Sequence, residues 1–108
     1  MTLPDSIKIG GYDYKVCFPY TFRERVDLDG QCDSGLFEIR VCDHDPAGNK
    51  KPDAAIVCVL LHEILHAVAF VSGGKYSDDG DDERTVERVA HGLYQVLHDN
   101  PRLLDMFR

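Results

Sequence analysis

Residues 54–71 are apolar at every position except His62, Glu63 and His66. A helix over this run, from about Asp53 to Val71 or Ser72, has no polar face and belongs in the interior. Asp53 is the expected N-cap and Gly73-Gly74 the expected stop. A glutamate on such a helix, left without a partner, must either bear a large desolvation cost or give up its charge. His62 and His66 are one helical turn apart and share a face. His-Glu-x-x-His in this setting predicts a zinc site. The two imidazoles act as ligands and Glu63 reaches a water on the metal.

A catalytic zinc site takes three protein ligands and leaves the fourth place to water. The third ligand is expected downstream, among Glu83, Glu87, His91 and the loop residues Asp78, Asp79, Asp81 and Asp82. A second helix is predicted over 83–98, capped by Asp81 or Asp82, with Val86, Val89, Ala90, Leu93, Val96 and Leu97 at helical spacing. Glu87 lies beside Val86 and Ala90 on its inner face and is the favoured ligand. Glu83, one turn earlier at a more solvated helix end, is the alternative. His91 is expected to support the site without ligating it. Tyr94, seven residues past Glu87, is a candidate hydrogen-bond donor to an oxyanion. Zinc acidifies a bound water to a pKa of about 7 and polarises a carbonyl. Glu63 is then placed to move the proton as general base. The expected reaction is peptide-bond hydrolysis.

The rest of the chain reads as strands. A hairpin is predicted over 6–18: Ile7 and Ile9, then Tyr12, Tyr14, Val16 and Phe18, alternate with polar residues around a Gly10-Gly11 turn. Residues 20–29 read as loop, with a turn at Asp29-Gly30. Gln31-Cys32 forms a short strand and Asp33-Ser34-Gly35 a turn. A firmer strand runs over 36–42 and is the expected edge for an extended peptide. Residues 43–52 form a polar loop. Residues 75–82 form an acidic loop without the ligand spacing of an EF-hand. Asn100-Pro101 ends the second helix, and 102–107 adds a short helical turn. Strands followed by helices predict an α+β domain, with a small, mostly antiparallel sheet of three or four strands on the zinc helix and a second helix.

With 108 residues the chain is expected to form one domain, 1–108, with a real core. A net charge of −7 argues against binding nucleic-acid phosphates. The N-terminal residues lack the pattern of a signal peptide, and no apolar run is expected to approach the length of a membrane span. Cys17, Cys32, Cys42 and Cys58 form no C-x-x-C pair and are expected to be free packing thiols in a cytoplasmic protein. Cys58 shares the histidine face. His44 and His98 are expected to be isolated and exposed.

Residues 59–68 resemble the motif of the zincin metallopeptidases. Together with 7–16 and 86–97, they look like short zincin-like proteins of phages and prophages, related in style to the SprT-like and ImmA/IrrE-like families. The resemblance implies a hydrolase with Zn2+ held by His62, His66 and a glutamate, and Glu63 as base. It supports Glu87, which matches the downstream glutamate of gluzincin-like families. It implies a peptide or protein substrate in a bacterial host cytoplasm. SprT-like proteases use a third histidine and basic DNA-binding parts, and ImmA/IrrE-like proteins often carry a helix-turn-helix. This acidic chain has neither, so DNA-linked roles do not transfer. The alternative expectation is a non-catalytic, zinc-stabilised protein-binding module or regulator of phage or prophage origin.

Overall fold

The computed structural model describes residues 1–74 and 80–108. The expected ligand candidates Asp78 and Asp79 lie outside them. Four strands, β1 (Ser6–Ile9), β2 (Tyr12–Cys17), β3 (Gly30–Asp33) and β4 (Glu38–Val41), precede three helices, α1 (Asp53–Val71), α2 (Gly80–Asp99) and α3 (Pro101–Asp105). The chain is an α+β fold, as its sequence pattern predicts.

β1 and β2 pair antiparallel through Ile7↔Tyr14 and Ile9↔Tyr12. Gly10 and Gly11 carry φ of 59° and 88° between them. Two consecutive positive φ values match the strand twist in a two-residue hairpin, and glycine reaches them without a Cβ clash. β3 and β4 form a second antiparallel hairpin through Cys32↔Ile39. The hairpins join along a parallel seam, Lys15↔Glu38 to Cys17↔Arg40, giving the order β1-β2-β4-β3.

That order corrects one expectation. The strand expected over 36–42 is β4, which is paired on both sides and offers no edge. The free edge on that side of the sheet belongs to β3. Phe37, just before β4, has φ of 53°. The strain of that conformation in a bulky residue is offset by its ring, which stacks on Tyr12 at 4.9 Å and meets Tyr14 edge-on at 5.5 Å.

α1 lies against β1, β3 and β4 on one side and α2 on another. Ile56, Leu60 and Ala67 join Ile9, Tyr14, Val16, Ile39 and Val41 in one core. Asp53 is not the N-cap: Pro52 takes that place without a side-chain bond, and Asp53 opens the first turn. There its charge still favours the positive end of the helix dipole. Gly73, at φ of 85°, ends the helix as expected.

Two further expectations change. α1 is, by length and composition, apolar enough to cross a membrane, with a mean hydropathy of 2.2 over its best window. The expectation of no such run therefore fails, although a helix laid across a sheet passes the same test. Nor is α1 wholly interior: Val68 and Phe70 are exposed, and Val57, Leu61 and Leu65 are half-buried. One small sheet and one helix cover only two of its sides. α2 begins at Gly80, so Asp81 and Asp82 lie inside its first turn instead of capping it.

Tyr14 is fully buried, and its hydroxyl has no hydrogen-bond partner among the described residues. Such an oxygen loses water without replacement, a cost of about 1–3 kcal/mol. Tyr14→Phe should therefore hold or raise stability in urea denaturation. Ile39→Ala, which empties space at a site with no exposure, should lower it by about 2–5 kcal/mol.

Candidate metal centre

His62 and Glu63 are the buried polar residues of the core, each 7% exposed. Partners for His62, and for His66 one turn on, come from α2. His62 Nε2 lies 3.0 Å from Glu83 Oε2, and His66 Nε2 lies 2.8 Å from Glu83 Oε1. The ligand atoms of His62, His66 and Glu83 fall within 4.8 Å of one another. The other ring nitrogen of His62, Nδ1, lies 2.9 Å from Glu87 Oε2. His91 Nδ1 in turn lies 3.0 Å from Glu87 Oε1 and 2.9 Å from its backbone oxygen.

The structure thus brings Glu83, in the place expected for Glu87, into the group with the two histidines. From the sequence alone, Glu83 stands at a solvated helix start, which favours Glu87. The helix already runs from Gly80, so Glu83 lies within its first turn and not at its tip. Glu87 takes a different position. With a cation in the cluster, Glu87 would accept the Nδ1 proton of His62 and leave the Nε2 lone pair for the metal, as the outer partners of metal-binding histidines do. His91 lies behind Glu87. Tyr94 stacks on His98 at 5.4 Å and does not line the cavity at the site. Cys58 is buried and stays outside the cluster. His44 and His98 are exposed and pair with Asp43 and Asp99.

The cluster opens on a cavity of about 560 Å³. His62, Glu63, His66 and Phe70 of α1 and Glu83 of α2 form one side. Gly30, Gln31 and Cys32 of β3 form the other, with Arg25 and Leu28 from the preceding loop at the mouth. Sequence reasoning missed this second wall. Gln31-Cys32 reads as a short strand, but nothing local says which strand neighbours the histidine helix. Arg25 is ion-paired with Asp27 at 3.2 Å in open solvent, a contact of little energetic weight.

Burial pushes the Cys32 thiol above its ordinary range. A Ser34 contact opposes this, and the charges of Glu63 and Asp33 add to it. Burial, then the charge of Glu87, raises Cys58 in the same direction. Both findings place negative charge beside these thiols. The donor set is two imidazole nitrogens and a carboxylate facing one point, with the fourth direction toward a cavity. That set fits a catalytic zinc ion better than a closed structural site, which takes four protein ligands.

No family model, curated protein or solved structure matches this chain. The site therefore stands on its own geometry.

Two outcomes test it. In zinc titrations, Glu83→Ala should abolish tight binding, whereas Glu87→Ala should weaken it by about 10–100-fold. Equal losses would refute their separate roles. In alkylation followed cysteine by cysteine, Cys32 should stay largely unreactive until pH exceeds the ordinary thiol range of about 8.5. Rapid reaction of Cys32 at pH 7 would contradict its placement beside Glu63.

Proposed function

We propose that this protein is a minimal zinc-dependent peptidase of zincin type. One observation carries the reading: His62 Nε2, His66 Nε2 and the Glu83 carboxylate converge at the wall of a cavity that Glu63 also lines. A cation-binding helix without catalytic purpose has no use for a buried carboxylate next to its ligands. Zinc held there would acidify water and polarise a peptide carbonyl.

The chain's own residues supply the remainder. Glu63 accepts the proton of the attacking water at its carboxylate and delivers it to the leaving amine nitrogen. Glu87 accepts a hydrogen bond from His62 Nδ1 and holds the ring in its ligating orientation. β3 presents the edge along which an extended substrate can lie, bound mainly through its backbone. Its residues Gly30 to Cys32 line the same cavity as Glu63, so a peptide paired with that edge passes beside the base. The substrate class is accordingly an extended segment of peptide or unfolded protein.

The test is metal analysis with a peptide-library screen. Wild-type protein should carry about one zinc per chain and cleave library members. Glu63→Gln should keep the zinc and lose turnover by roughly 10²–10⁴-fold, the usual weight of a general base. Zinc binding with no cleavage at any pH would favour the alternative, a zinc-stabilised binding module or regulator. Protein that binds no zinc would remove both.

A further inference from the structure

We propose that Gly30 is a positioning residue for Glu63: its missing side chain lets the sheet edge close directly against the base. The inference rests on the peptidase reading above. In sequence, Asp29-Gly30 looks like a turn. In the structure Gly30 is the first residue of β3, opposite Val41, and its backbone is not left-handed. Conformational freedom therefore does not account for a glycine here. Space does.

A Cβ at position 30 would stand 2.6 Å from Val59 Cγ1, 3.0 Å from Glu63 Oε2 and 3.2 Å from the Arg40 carbonyl oxygen. These neighbours differ in what they can yield. The Arg40 carbonyl belongs to β4, which is locked between two strands. Val59 is β-branched on a helix, with one strongly preferred rotamer. Glu63 is unbranched, and its Oε2 stands at the far end of the side chain. A methyl group at position 30 therefore pushes the base aside or lifts β3 off α1. Either movement changes the distance between Glu63 and a peptide lying along β3. Displacement of a reacting group by about 1 Å can cost on the order of 100-fold in rate. None of the three nearest atoms belongs to His62, His66 or Glu83, so the ligand set is left in place.

The test compares wild type, Gly30→Ala, Val59→Ala and the double variant. It measures zinc content, kcat and KM on a cleaved library peptide, and the pH profile of Cys32 alkylation. Gly30→Ala should retain about one zinc per chain. Its kcat should fall by roughly 10–100-fold with KM little changed. Adding Val59→Ala removes the tightest contact and should restore much of the lost kcat. Burial first, and the charge of Glu63 as a lesser cause, hold the Cys32 thiol up, so its alkylation should begin at lower pH in Gly30→Ala whether the carboxylate is displaced or β3 lifts off α1. The Cys32 readout needs no turnover. If wild type cleaves nothing, the peptidase reading falls, and the Cys32 profile alone decides for or against Gly30. An unchanged Cys32 profile overturns the proposal, as does a loss of kcat that merely follows loss of zinc. Should Gly30→Ala fail to fold, the double variant measured against Val59→Ala reads the remaining 3.0 Å contact with Glu63 Oε2: a residual fall in kcat at full zinc content supports the proposal, and none overturns it.

Discussion

The structure turns on a solvation problem. An apolar helix carries two imidazoles and a carboxylate into the interior, and each must regain the interactions that water would have given it. For the two imidazoles the solution is a second helix with carboxylates at the same one-turn spacing. Glu83 sits between His62 and His66, and Glu87 sits on the far side of His62. As the chain advances along α2 its contacts move back along α1, so the two ladders face each other. Val86 and Ala90, both fully buried, leave room for that approach. If α2 were shifted by one residue, its carboxylates would turn about 100° away from the histidines, since a helix has 3.6 residues per turn.

Features governed by neighbours in sequence were legible before the structure. The α1 bounds follow from its apolar run and terminal glycines. The first hairpin follows from alternation around Gly10-Gly11. The placement of His62 and His66 on one face of α1 follows from helical spacing. What escaped depends on distant contacts. Alternation identifies β4 but cannot say that β2 will lie beside it in parallel, which is what moves the sheet edge to β3. Gly30 shows the same limit: Asp-Gly is a turn signal locally, and only the proximity of Val59 and Glu63 gives the glycine another purpose. That Glu83, and not Glu87, faces both histidines was hidden because α2 reaches back into an acidic stretch where glycine and aspartate suggest loop.

Size sets a second boundary. A chain of 108 residues buries a smaller share of its surface than a larger domain. α1 shows where the deficit falls. Its core side holds Ile56, Leu60 and Ala67, its α2 side holds Cys58 and His62, and its remaining side leaves Val68 exposed. Residues that a larger protein would use to cover that side are absent among those described. The well-covered sides are the ones that build the site.

The parallel seam has a consequence for assembly. Each hairpin can form from residues close in sequence, but Lys15↔Glu38 and its neighbours must close a loop of more than 20 residues, and such pairings form late because their entropy cost comes first. Until the seam closes, β3 has no fixed place beside α1, and the cavity lacks one of its walls. A nascent or partly unfolded chain could hold the histidine helix and still present no cleft. The fold thereby makes the cavity beside His62, Glu63 and His66 conditional on completion of the sheet.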